Sequence, residues 1–162
     1  AWSALDQVTE DWNLNSISSE DLLRWAGLLH EVGAGISHSR YHKHGAYIIS
    51  ESDMPGFSQQ EQQALANLIL RHRRKFTQSL EFRFTKSDQQ DLDRLSILLR
   101  LANLLHHDRK EGDMPIFTLK ADDKSLHAEF LPGWLEGRPL TLANLQREAE
   151  ALALGGYLLT FS

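Results

Sequence analysis

The chain is 162 residues long, 41% hydrophobic and 24% charged, with no cysteine and a formal net charge of −5. A chain of this size suits one ordinary domain or a domain with a small appendage, and it buries roughly two thirds of its unfolded surface without a disulfide or a thiolate metal site. The acidic balance excludes a protein that coats nucleic acid through its overall field, and no stretch approaches the roughly 18 apolar residues of a membrane-spanning helix.

The opening AWSALDQVTEDW lacks a basic segment followed by an apolar run, so it does not read as a signal peptide. It starts without methionine and in the middle of a helical pattern, which is expected of a piece cut from a longer protein, and the absence of cysteine fits a reducing, cytoplasmic setting. Trp2, Leu5, Val8 and Trp12 recur at helical spacing. Ser18 or Ser19 caps a second helix with Glu20 and Asp21 in its first turn, an apolar stripe of Leu22, Trp25, Ala26 and Leu29, and an end at Gly33 and Gly35. A third helix is predicted from about His38 to Glu51. SDMPGFS is a turn, and Ser58 followed by Glu61 is a capping-box signature for a fourth helix burying Leu65, Leu68, Ile69 and His72. That helix runs out in the basic stretch Arg71–Lys75, where cations also complement the helix dipole.

A polar connector leads to a long helix starting at Ser87 or Asp88, with the stripe Leu92, Leu95, Leu98, Leu99, Ala102 and Leu105. KEGDMP breaks the pattern. IFTLKAD and SLHAEFL then alternate around an Asp–Lys turn and read as a hairpin. Thr141 caps a last helix that ends at Gly155–Gly156, and YLLTFS is a third strand against the hairpin. The predicted class is therefore α+β, mostly α. A helical bundle occupies residues 1–110 and a small α+β unit of hairpin, helix and third strand occupies 111–162.

Charge is unevenly spread. Between His38 and Lys75, Arg40, Lys43, Arg71, Arg73, Arg74 and Lys75 face only Glu51, Asp53 and Glu61, so this segment is basic inside an acidic chain. A local anion site is one reading; a chance cluster of solvated helix ends is the other. Within the basic run, Arg71 and Arg74, like His72 and Lys75, stand at i, i+3, so a continuing helix would present two adjoining stripes.

Eight histidines are present, and five lie between residues 30 and 72: His30, His38, His42, His44 and His72. LLHEVG places His30 and Glu31 at the end of an apolar helix, HKHGAY places His44 at the start of the next, LILRHRRK places His72 late in the fourth, and LLRLANLL places Asn103 on the fifth. This order resembles the HD superfamily of metal-dependent phosphohydrolases, in which a histidine–aspartate pair, further histidines and a final aspartate bind metal ions. Imidazoles and carboxylates suit divalent first-row metals that activate water. Here Glu31 replaces the paired aspartate, the neutral Asn103 replaces the final one, and no histidine precedes His30. His30, Glu31, His44, His72 and Asn103 therefore read as a degenerate set for which no bound metal is expected.

A closer resemblance covers nearly the whole chain. LLHEVG, ISHSRYHKHGAYII, SDMPGFS, RHRRK, LLRLANLL and WLEGRPLTLANLQREAEAL, at their observed spacings, are similar to the C-terminal region of the exopolyphosphatase/guanosine pentaphosphate phosphohydrolase (Ppx/GppA) family. The resemblance implies an HD-like helical domain followed by a small α+β unit. It implies catalysis in absent N-terminal actin-like domains, which hold the magnesium and a glutamate base, so no catalytic residue and no cofactor is expected in this piece. It implies inorganic polyphosphate or guanosine pentaphosphate as the ligand, a homodimer, and no nucleic-acid partner. Arg40, His42, Lys43, His44, Arg71, His72, Arg74 and Lys75 are the residues expected to bind polyphosphate, since forked arginines and point-charge lysines suit phosphate and a polyanion favours charged imidazoles. A freestanding HD-type metal-dependent nucleotide phosphohydrolase is the competing reading. A ligand-free dimerisation module using Trp2, Trp12, Trp25 and Trp134 is a third.

Overall fold

The computed structural model describes residues 7–8, 11–12, 14, 19–77, 79–80, 84–107 and 116–162. The chain is α+β and mostly helical. Its contacts divide it into two compact units, Leu14–Leu99 and a second made of Ala1–Asn13 with Arg100–Ser162. The sequence break near residue 110 suggested a boundary there, whereas this division runs through a helix.

In the first unit, α1 spans Ser19–Leu29, a 3-10 turn spans Val32–Gly35, α2 spans Tyr41–Glu51 and α3 spans Gln59–Arg71. Helix α1 buries Leu22, Leu23 and Ala26. Trp25, expected on that face, is instead 41% exposed and packs edge-on against Phe57 at 5.7 Å. A position one residue away from a helical stripe takes its place, as Leu23 does here, when the neighbouring element approaches from that side.

Helix α2 starts at Tyr41, three residues later than the sequence pattern suggests, because Arg40 adopts a left-handed conformation with φ 60° and cannot sit inside a right-handed helix. Gly33 permits the turn before it: a Cβ there would land on the Tyr41 carbonyl oxygen and the Gly45 amide. Helix α3 opens with the expected capping box, Ser58 Oγ accepting from Glu61 N at 3.2 Å and Glu61 Oε2 accepting from Ser58 N at 2.8 Å. Leu65, Leu68, Ile69 and His72 are all buried, as the periodicity predicted. Helix α4 spans Lys86–His107, with Thr85 Oγ1 accepting from the Asp88 amide at 3.1 Å. Leu92, Leu95, Leu98, Leu99 and Leu105 are buried along it. From Arg100 onward it belongs to the second unit.

In the second unit, β1 (Phe117–Asp122) and β2 (Ser125–Phe130) form the expected antiparallel hairpin about Asp123–Lys124. Helix α5 (Pro139–Ala153) then returns the chain so that β3 (Leu158–Phe161) lies parallel to β2, in the order β1-β2-β3. A parallel neighbour needs such a crossover. Thr141 does not cap α5: the helix starts two residues earlier with Pro139 in its first turn, and Thr141 is buried. Leu126, Ala128, Phe130, Leu145, Leu152 and Leu159 are buried in this unit. Arg100 donates to both carboxylate oxygens of Glu148 on α5, Nη2 to Oε2 at 2.9 Å. Val8 and Trp12 are buried; Trp2, Leu5, Ser18 and the KEGDMP break at 110–115 lie outside the described residues. No described helix is long and apolar enough to cross a membrane.

Candidate functional site

The end of α1, the start of α2 and the end of α3 bring three imidazoles and a phenol together. The His72 ring lies 5.4 Å from His30, 6.4 Å from His42 and 5.5 Å from Tyr41, centroid to centroid. His72 Nδ1–H donates to the Ile69 carbonyl at 2.6 Å, which leaves Nε2 to accept from the Tyr41 hydroxyl at 3.4 Å. His30 Nδ1 is likewise bonded to the Gly27 carbonyl at 2.8 Å. Burial pushes the His72 pKa down to about 4, with His30, His42 and Arg73 adding to the effect against the Ile69 hydrogen bond. His42 is 3% exposed, and its pKa is lowered too, first by burial and then by the charges of Arg73, Lys43, Arg74 and His44. Its Nδ1 is buried and without a hydrogen-bond partner.

These environments correct two expectations. His42 and His72 both resist protonation more than a free imidazole does, which opposes the charged form that the sequence pattern suggested for them beside a polyanion. The histidine that joins His30 and His72 is His42, not His44, which lies half-buried further along α2. Glu31 stands 4.0 Å from His30 with its carboxylate largely in solvent. Asn103 lies in the other unit, half-buried, with Nδ2 unpartnered. Among the described residues, no group of three or more His, Asp or Glu side chains is placed to hold a metal ion.

The basic residues divide sharply by role. Arg71 is 4% exposed: Nη2 pairs with Asp93 Oδ1 at 2.7 Å, Nε donates to the Phe76 carbonyl at 3.0 Å, and the guanidinium lies 4.7 Å above the Phe76 ring. It is a structural cation, not a surface phosphate donor. The helix stops at Arg71, so Arg74 and Lys75 do not continue stripes with Arg71 and His72; Arg74 instead takes φ 65°. Arg74 and Lys75 are exposed, as are Arg40 and Lys43 across from them in sequence at the start of α2. Arg73, which sequence reasoning counted for charge but left out of the binding set, stacks 4.6 Å above the Tyr41 ring. The aromatic at position 41, first residue of a helix beside a basic run, was the available signal for that cation–π contact.

Arg40 and Arg74 are the only non-glycine residues with positive φ among those described, and both border this cluster. Such backbone strain costs on the order of 1–3 kcal/mol and concentrates at functional sites. Helix α2 has no side-chain cap at Arg40, so its first amides are not closed by a carboxylate or hydroxyl. An uncapped helix start among Arg40, Lys43, Arg73 and Arg74 offers donors and positive charge to an anion.

The model of Ppx/GppA phosphatase, domain III, matches residues 1–149. The chain belongs to this family. It is 35% identical over 151 residues to a guanosine-5'-triphosphate,3'-diphosphate pyrophosphatase of Aeromonas hydrophila, covering 93% of this chain and 30% of that protein. Proteins of the same description in Aeromonas salmonicida and Pseudoalteromonas translucida are 33% and 31% identical over the same share. The chain thus spans about 30% of the length of these relatives.

Proposed function

We propose that this Ppx/GppA domain binds the phosphate chain of inorganic polyphosphate or guanosine pentaphosphate, and pairs with a second copy of itself, within a cytoplasmic phosphohydrolase whose bond-breaking machinery, with its magnesium, lies in the part of the relatives that this chain does not span. The observation that carries the reading is the gathering of Arg40, Lys43, Arg73 and Arg74 about the start of α2 and His42 in a chain of net charge −5. Further support comes from the relatives, which are guanosine-5'-triphosphate,3'-diphosphate pyrophosphatases. Guanidinium and ammonium groups near an open helix start attract phosphate through charge and directed N–H donors together.

Binding of the chain to long-chain polyphosphate and to guanosine pentaphosphate, followed by fluorescence anisotropy or calorimetry over a salt series, tests this. Replacing Arg40, Lys43, Arg73 and Arg74 by Ala together should weaken binding of both ligands and flatten the salt dependence, since fewer counterions are released per bound phosphate. Equal affinity and equal salt slope for parent and variant would refute the site.

A further inference from the structure

Among the described residues, one edge of the three-stranded sheet is closed and the other is not. On β1, the amides of Leu119 and Ala121 point away from β2, and both are capped by side chains of the N-terminal segment: Gln7 Oε1 accepts from Leu119 at 2.7 Å and Asp11 Oδ2 accepts from Ala121 at 3.1 Å. On β3, Leu158 N donates to the Lys124 carbonyl at 2.8 Å, Ser162 N to the Ala128 carbonyl at 3.1 Å, and the Ser162 carbonyl accepts from Phe130 N at 2.8 Å. The even-numbered residues of β3 therefore face β2. Alternation along the strand turns the N–H and C=O groups of Leu159 and Phe161 the other way. Among the described residues no hydrogen bond engages those outward groups.

Natural sheets protect such an edge with lysines, prolines or a bulge. Strand β3 has none of these: its sequence, Leu-Leu-Thr-Phe, is uncharged, Leu158 is 60% exposed, and Leu154 just before it is 84% exposed. The strand is also complementary to itself. In an antiparallel pair about a two-fold axis through Thr160, Leu159 faces the second copy's Phe161 and the reverse, each pair exchanging its two N–H···O=C bonds. Thr160 meets its own copy at the close, non-hydrogen-bonded position, and no like charges are opposed.

We propose that β3 is the strand by which two copies of this chain pair, extending the β1-β2-β3 sheet across a two-fold axis. The proposal rests on the reading that the domain pairs with itself, and it names the surface. The closed β1 edge directs the pairing to one side only, so the assembly stops at two copies rather than growing into a fibre.

Sedimentation equilibrium of the chain, with three variants, tests it. The parent chain should self-associate. Thr160→Lys and Thr160→Glu should each lose the dimer, since like charges then meet across the axis, and an equimolar mixture of the two should recover it as a heterodimer. Phe161→Pro removes an outward N–H while sparing the bonds to β2, and should lose the dimer without lowering the melting temperature of the sheet. A parent chain that dimerises, with Thr160→Lys and Phe161→Pro dimerising as tightly, overturns the edge assignment while leaving self-pairing intact. A parent chain that stays monomeric overturns both.

Discussion

Replacing Arg71 by Ala separates a folding role from a binding role within the basic run. Arg71 is 4% exposed and its guanidinium is committed to Asp93, to the Phe76 carbonyl and to the Phe76 ring. Removing one member of a buried ion pair costs about 3–5 kcal/mol, chiefly because the remaining charge is left without its partner. Asp93 is 21% exposed and also accepts from Gln89 Nε2 at 2.9 Å, so part of that cost is relieved by water and by the amide. The loss should therefore be about 2–4 kcal/mol. For a chain of this size it corresponds to a fall of roughly 5–15 °C in melting temperature. Urea and thermal denaturation of the parent, Arg71→Ala, Asp93→Asn and the double variant would measure it, and the cycle should show a coupling of roughly 1–3 kcal/mol. Polyphosphate affinity, measured where Arg71→Ala is still folded, should change less than two-fold, by the reasoning that a buried cation releases few counterions. A variant that keeps its stability within about 0.5 kcal/mol but loses polyphosphate binding would refute this division of roles.

Three further outcomes follow from the same geometry. The His72 pKa of about 4 lies below the unfolded value near 6.5, so the neutral ring stabilises the fold fully above pH 6.5. That contribution, about 3 kcal/mol, is lost as pH falls from 6.5 to 4; a stability–pH profile should show this slope, His72→Phe should flatten it, and an unchanged slope would contradict the assignment. Gly33→Ala should destabilise by at least about 2 kcal/mol, because the added methyl meets main chain that cannot rotate away, whereas Gly27→Ala, in α1 with open space around it, should stabilise by roughly 0.5–1 kcal/mol; denaturation of both, in either reversed order, decides. Arg74→Gly should hold or raise stability by relieving the left-handed backbone at φ 65° while weakening polyphosphate binding, and a clear loss of stability would show that its side chain, not its backbone, matters to the fold.

Local chemistry determined much of this protein on its own. The Ser58–Glu61 capping box, the Asp123–Lys124 hairpin turn, the third strand and the leucine stripes of α3 and α4 were legible because each depends on a few neighbouring residues, and each is where its pattern put it. The family was legible for the same reason, through long local runs such as ISHSRYHKHGAYII. What only the tertiary structure decided were the questions of which neighbour approaches which face. Arg71 and Arg74 are alike in sequence, yet one is sealed against Asp93 and Phe76 and the other is exposed, because the helix stops between them and the chain turns left-handed. His42 rather than His44 meets His72, because the two stand about 200° apart around α2 and the neighbouring helix end lies on the His42 side. Leu23 is buried and Trp25 is not for the same reason: periodicity fixes the spacing of a stripe, whereas its direction is set by the element that packs against it. The parallel pairing of β3 likewise follows from how α5 carries the chain back, a choice among long-range pairings that no local run of residues encodes.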